Sequence, residues 1–363
     1  MADILPTSPK RGFSQWFGSG ALVALAVLLA GRFAAEKLRG LPHFDERGGM
    51  DAYGAVETYY LKKNPNPVEV ACFGTSQSVF GISESEVATC LGEKAERVRN
   101  LGTPGGTPFD MWSLVRRNPE SFKDLHLAVV EINPFVLQKG LEGDDRMVLS
   151  LSQKATLHER LTIASAQMRR RQLMDLVLPL YSARRSLRTV FFNVLDPCPG
   201  NALCPCPEQK ALPAAGWVVN RAHRDNRERQ KASPDMVARR FFGNWRVSEL
   251  QDESLRNLLA WLDEHKVPVV LHQMPVHPEV VKLVKSDPRY MKGFQQFSDY
   301  VASLKPAPAA VIQILDTDEC GAGEDDLADR THLNQLGASI YSRYLAEKIK
   351  SVPGLTVTVT QGG

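Results

Sequence analysis

The stretch V-E-V-A-C-F-G-T-S-Q-S-V-F-G-I-S, Val68 to Ser83, decides how the rest of the chain is read. Val68, Val70, Ala71, Cys72 and Phe73 form a short apolar run rich in strand-forming residues, and Gly74 ends it. Thr75-Ser76-Gln77-Ser78 follows as a small hydroxyl-bearing turn. Ser83, with Glu86 three residues on, is a capping box ahead of Val87 and Leu91, so a helix begins there. Strand, tight turn and helix in this order make half of a parallel α/β unit. In such sheets ligands bind beyond the carboxyl ends of the strands. A serine held there can present its hydroxyl to a substrate; taken alone, the stretch is better read as an ordinary βα loop.

The same rhythm continues downstream. Val98 to Leu101 predicts a second short strand, running into the glycine-rich loop N-L-G-T-P-G-G-T-P, Asn100 to Pro108. Thr107 as N-cap, Pro108 at the first helical position and Asp110 in the first turn open the next helix. The loop lacks the lysine of a P-loop and the glycine spacing of a dinucleotide fingerprint. A third strand, Leu125 to Ile132, ends at Asn133-Pro134-Phe135. Later, Ser248 and Gln251 read as a capping box for a helix burying Leu255, Leu258, Leu259 and Leu262. The strand Val267 to Leu271 leads to His272-Gln273-Met274-Pro275-Val276-His277-Pro278, read as a loop carrying two histidines. Ala310 to Leu315 is a further strand, and Ile340, Tyr344, Leu345 and Ile349 mark the buried face of a final helix. Alternating strands and helices argue a mainly parallel sheet covered on both faces, a three-layer α/β/α sandwich.

Composition bounds the function. A chain of 363 residues with 43% hydrophobic and 23% charged residues is long enough for a large globular core. A net charge of +3 gives no argument for nucleic acid. Nothing in the sequence calls for a cofactor or a metal: six cysteines are too few for a disulfide scaffold, and none has zinc-ribbon spacing. Cys198, Cys204 and Cys206, in a proline-rich loop, are open to one disulfide in an oxidising compartment, or to a metal, against which stands the lack of an obvious fourth ligand nearby.

Four segments follow. Residues 1–12 are a short tail, and 13–35 a transmembrane anchor. No charge occurs from Gly12 to Gly31, close to the roughly 20 residues that span a bilayer, and Trp16 and Phe33 flank the apolar centre. A cleaved signal peptide is the competing reading, but Arg32 follows directly without a small-residue cleavage site. Residues 36–65 read as a stalk and entry helix, and 66–363 as the α/β domain. That domain carries an arginine-rich helical insertion at about 140–247, with clusters such as Arg169-Arg170-Arg171 and Arg239-Arg240. Such clusters are a solvated face or a surface for an acidic polymer.

Asp329-Arg330-Thr331-His332 completes the chemistry. Three residues apart, the carboxylate reaches the Nδ1–H of the imidazole, which fixes the tautomer and leaves Nε2 to accept a proton from a serine. A serine hydroxyl is a poor nucleophile without such a base.

Together these pieces resemble the SGNH (GDSL-type) hydrolase superfamily, over roughly residues 66 to 349 with the insertion outside. Gly74-Thr75-Ser76 looks like the Gly-Asp-Ser block, with Thr75 in place of the usual aspartate. The resemblance makes Ser76 the nucleophile, and Asp329 and His332 match the last block, as acid and base. Gly105 matches the glycine whose N–H serves the oxyanion hole. The third block departs from the family: where Gly-x-Asn-Asp is expected the strand ends Glu-Ile-Asn-Pro, which makes Asn133 a candidate second oxyanion donor. The resemblance implies a membrane-anchored acyl-esterase or O-acyltransferase of the cell envelope, in the branch with D-alanyl-transfer and polysaccharide O-acetylation proteins. Its partners would be an acylated envelope polymer and a membrane-bound acyl donor protein. The alternative is a non-catalytic envelope protein that keeps the fold as a polymer-binding or assembly module. The flanking charges do not orient the anchor, because Lys10 and Arg11 precede it while Arg32, Lys37 and Arg39 follow. An envelope role places the domain outside the cytoplasmic membrane. Alkaline phosphatase fused after residue 45 is therefore expected to be active in a bacterial host, and an inactive fusion would place the domain inside.

Overall fold

The protein is described here by a computed structural model covering residues 67–139, 232–306 and 308–355, with a few isolated positions elsewhere. The expected anchor at 13–35 and the stalk fall outside these residues apart from isolated positions. The same holds for the arginine-rich stretch up to residue 231, with its three cysteines. Among the described residues, no helix is long and apolar enough to cross a membrane.

Five strands form one all-parallel sheet: β1 Val70–Phe73, β2 Val98–Asn100, β3 Leu127–Glu131, β4 Val269–Gln273 and β5 Ala310–Gln313, in the order β2-β1-β3-β4-β5. β1 and β3 are aligned from Val70 opposite Leu127 to Phe73 opposite Val130. β1 connects outward to β2 and β3 the other way to β4, so a crevice opens between their carboxyl ends, the switch point of an open α/β sheet.

Both faces of the sheet are covered, which explains the unbroken apolar strands. Val70, Cys72, Leu127, Val129 and Val270 share one cluster with residues of α2 (Glu84–Leu91) and α9 (Gln335–Lys350). Ala71, Phe73, Ala128, Val130 and Leu271 share the other with α3 (Pro108–Arg117), α5 (Pro234–Phe242), α6 (Glu249–Glu264), α7 (Pro278–Ser286) and α8 (Pro288–Ala302). Two further short helices, α1 (Ser76–Gly81) and α4 (Pro134–Leu137), follow β1 and β3 directly.

Most local signals are realised. Thr107 and Asp110 close a full capping box with Pro108 at the helix start, and Ser83 caps α2 by accepting from the Glu86 N–H. Three expectations shift. Thr75-Ser76-Gln77-Ser78 is not only a turn: Thr75 accepts from the Gln77 N–H and starts α1 seven residues before the next cap. Gln251 does not box with Ser248; its Oε1 accepts from the Phe109 N–H, an otherwise orphan donor at the start of α3. His272 and Gln273 belong to β4 rather than a loop. His272 is fully buried, with Nδ1 3.0 Å from Tyr341 Oη, and burial pulls its pKa down to about 4. On α9 the fully buried stripe is Ala338, Tyr341, Leu345 and Ile349, with Ile340 and Tyr344 at its margin.

The stretch expected at about 140–247 divides in two. Val237, Ala238, Phe241, Phe242 and Trp245 are core residues of the described domain. The exit from α4 is pinned beside the start of α6: Gln138 and Val247 form an antiparallel bridge, and the Lys139 N–H donates to Arg246 O.

Glu84, in the first turn of α2, is buried and accepts from the Asn100 N–H at 2.6 Å, while its second oxygen has no hydrogen-bond partner. Burial pushes its pKa up to about 7. The unfolded chain releases this proton near about pH 4.3, so between there and about pH 7 the folded state holds the extra proton. Stability contributed by the protonated form is full below the unfolded value and is lost as pH rises through the folded one. Urea titrations of the wild type and Glu84→Gln are expected to show this decline in the wild type and a flatter profile in the variant; parallel profiles would remove Glu84 as its source.

Candidate active site

Ser76 is the first residue of α1, placed by the β1 carboxyl end and the Thr75 cap. His332 and Asp329 come from a tight loop before α9. Leu327 and Leu333 bridge in antiparallel fashion, and the Ala328 N–H donates to His332 O at 2.8 Å. Asn334 then caps α9 by accepting from the Leu336 and Gly337 N–H groups. The loop thus folds on itself before the helix begins, which sets the imidazole toward β1.

The three side chains form a continuous chain. Ser76 Oγ is 2.9 Å from His332 Nε2, and His332 Nδ1 is 2.8 and 3.0 Å from the two oxygens of Asp329. With Nδ1–H donated to Asp329, Nε2 is the acceptor for the serine hydroxyl. Asp329 Oδ1 also accepts from Thr331 N at 2.7 Å, Thr331 Oγ1 at 3.1 Å and His332 N at 2.9 Å. Burial alone would raise this carboxyl; the hydrogen bond and charge of His332, with the Thr331 hydrogen bonds, outweigh it and hold Asp329 well below the usual carboxylate range. Phe80 packs edge-on against the His332 ring. A serine, an oriented base and a carboxylate are therefore within reach of one another at the switch-point crevice, the geometry of nucleophilic acyl transfer.

Gly105 lies on the glycine-rich loop, which is tied to the serine turn by the Thr103 N–H donating to Gly74 O at 2.9 Å. Gly105 is exposed and left-handed, with φ 71°, a conformation suited to glycine, and its N–H meets no acceptor among the described residues. It remains available as an oxyanion donor. Asn133 is differently placed. Its side-chain amide donates to Gln77 Oε1 at 2.6 Å and to Glu131 Oε1 at 3.0 Å, and its Oδ1 accepts from the Phe135 N–H as the cap of α4. With both amide hydrogens engaged, Asn133 has none for a substrate oxygen.

Two residues unremarked in the sequence sit at the centre. Gln77, buried, bridges Asn133 to the acid–base loop, donating Nε2 to Thr331 O at 2.6 Å. Glu131, the last residue of β3, turns its carboxylate onto the serine turn. The glutamate of E-I-N-P, a charge at the end of an apolar strand, was the available signal. His277 is no competing base: it caps α7 through Nδ1, and its Nε2 lies 2.9 Å from Glu324. Arg330 fastens the acid–base loop from outside, with Nε donating to Ala232 O at 2.8 Å and Nη1 paired with Glu279. Ala232 lies where the chain re-enters the described domain, so that return limb touches the loop holding His332. Among the described residues, no cluster of ligating side chains could hold a metal.

No family model matches this chain, and no curated protein matches it. A structural rather than oxyanion role for Asn133 has a direct consequence. Asn133→Ala strands Gln77 Oε1 and the Phe135 N–H, at about 1–3 kcal/mol for a buried polar group left unpaired, and a clear drop in thermal midpoint is expected. An unchanged midpoint with lost ester turnover would instead restore the oxyanion assignment.

Proposed function

We propose that this chain is a membrane-anchored serine acyl-esterase or O-acyltransferase of the SGNH type, acting on acyl esters of a cell-envelope polymer. The observation that carries the reading is the Ser76–His332–Asp329 chain of hydrogen bonds, at 2.9 and 2.8 Å, in the crevice between β1 and β3. The envelope location, the polymer and a membrane-bound acyl donor rest on the sequence resemblance and the apolar span at 13–35.

In this mechanism Ser76 Oγ attacks the ester carbonyl while its proton passes to His332 Nε2. The tetrahedral oxyanion is met by the N–H groups of Ser76 and Gly105. Collapse breaks the ester bond, and His332 returns the proton to the departing alkoxide, leaving the acyl group on Ser76. Water or a sugar hydroxyl then gives its proton to His332 and attacks the acyl-serine; as the acyl–oxygen bond breaks, His332 returns that proton to Ser76 Oγ. Esterase and transferase differ only in that second acceptor. Asp329 stays ionised throughout and stabilises the imidazolium that forms at each step.

A fluorophosphonate probe tests the reading, since it modifies serines activated in this way. Labelling of the wild type at Ser76 is expected, with none in Ser76→Ala at an unchanged thermal midpoint. His332→Ala should lose about as much as Ser76→Ala, several orders of magnitude in rate, and the double variant little more than the worse single, because the members act as one unit. A wild type inert to the probe, or losses that multiply, would overturn the triad and favour the non-catalytic module.

A further inference from the structure

Glu131 is buried at the end of β3, and its two oxygens meet five donors. Oε2 accepts from Thr75 N at 2.8 Å, Ser78 N at 3.1 Å and Ser78 Oγ at 2.6 Å. Oε1 accepts from Thr75 Oγ1 at 2.7 Å and Asn133 Nδ2 at 3.0 Å. No ion pair joins it among the described residues. Gly74 belongs to the same fit: a Cβ there would lie 2.5 Å from Glu131 Oε2 and 2.0 Å from Ser78 Oγ.

The backbone accounting of this turn is informative. Thr75 N and Ser78 N go to Glu131, Gln77 N to Thr75 Oγ1, and Val79 N to Thr75 O. The Ser76 N–H alone in the turn has no acceptor among the described residues. The first N–H groups of a helix have no partner within it, so one left open beside a serine hydroxyl is a place for an incoming oxygen. Glu131 takes the Thr75 and Ser78 N–H groups directly and holds the Thr75 hydroxyl that takes the Gln77 N–H, so the Ser76 N–H is the one left open.

We propose that Glu131 is a positioning residue for the nucleophile. Through Thr75 and Ser78 it holds the turn so that the Ser76 N–H faces the substrate oxygen, and it requires a hydrogen-bond donor at position 75. This inference rests on the serine-hydrolase reading. It also accounts for the threonine at position 75: a carboxylate there could still cap the Gln77 N–H, but it would face Glu131 Oε1 acceptor to acceptor.

The test is a double-variant cycle of wild type, Glu131→Gln, Thr75→Asp and the combined variant in the full chain. Fluorophosphonate labelling rate and thermal midpoint are read for each, with ester kcat and KM where turnover is measurable. Glu131→Gln is expected to lower the labelling rate and kcat by about 10- to 100-fold, short of or equal to the loss of one oxyanion donor, with KM little changed. Thr75→Asp alone should be worse in both rate and midpoint. Adding Glu131→Gln to Thr75→Asp should raise both, because the new amide donates to the introduced carboxylate and its oxygen keeps the backbone N–H of residue 75 and both Ser78 donors, at the loss of the one acceptor it offered Asn133. A combined variant no better than Thr75→Asp would overturn the pairing. Glu131→Gln labelling at the wild-type rate would overturn the positioning role. An inert wild type would overturn the hydrolase reading and with it any role for Glu131 in catalysis, while the midpoints of the four proteins would still decide the pairing with position 75.

Discussion

Glu131 stands at the carboxyl end of the central strand with its carboxylate out of water, met by the donors of Thr75, Ser78 and Asn133. Moving a carboxylate into a protein interior costs several kcal/mol, and a hydrogen bond to a charged group returns about 1.5–3 kcal/mol. Five such contacts offset that cost, and each donor removed leaves the buried carboxylate less satisfied. The constraint therefore runs outward: to the glycine at 74, which leaves room for the carboxylate, to the cap that starts α1, and to the position of Ser76 one residue beyond that cap.

A second carboxylate, Asp329, is organised differently. Its donors come from its own loop and from His332, over three residues, so it needs no distant partner to be satisfied. What the loop cannot supply is its place over β1. That comes from Gln77, whose amide joins Asn133 on one side to the Thr331 carbonyl on the other. One buried network thus runs from the end of β3 through the serine helix to the residue beside the imidazole. Side chains held at both ends lose rotamer freedom on folding rather than on substrate binding, which is the physical content of a preorganised site.

The outer side of that loop is fastened by Arg330 to Ala232, Glu279 and His277. Near the other end of the excursion from residue 139, Phe135 stacks on Phe241 and carries the Arg240 guanidinium over its ring. The long arginine-rich stretch between residues 139 and 232 is therefore attached at points adjoining α4 and the acid–base loop. Both attachments are at the carboxyl-terminal edge of the sheet, the same edge that carries Ser76.

Much of the fold was legible because its signals are short in range. Apolar runs, the Thr107–Asp110 capping box and the leucine stripe of α6 act within a few residues, and the structure keeps them with ends moved by one or two positions. Ser76, Asp329 and His332 were legible as types at their spacings. That Ser76 and His332 meet across 256 positions was decided by the parallel sheet, which brings the β1 end and the loop before α9 to one crevice. Gln251, His272, Asn133 and Glu131 were misread or passed over for one reason. A buried polar side chain is defined by its partners, and theirs lie across the fold: 142 positions away for Gln251 and 56 for Glu131 with Thr75. The sequence by itself determined the strand–helix order, most helix starts and the presence of a serine, a histidine and an aspartate at their spacings, since local sterics and hydrogen bonding suffice for the elements. Only the tertiary structure decided which polar groups are satisfied by one another and which N–H is left open, because hydrogen-bond pairing is settled by proximity in space.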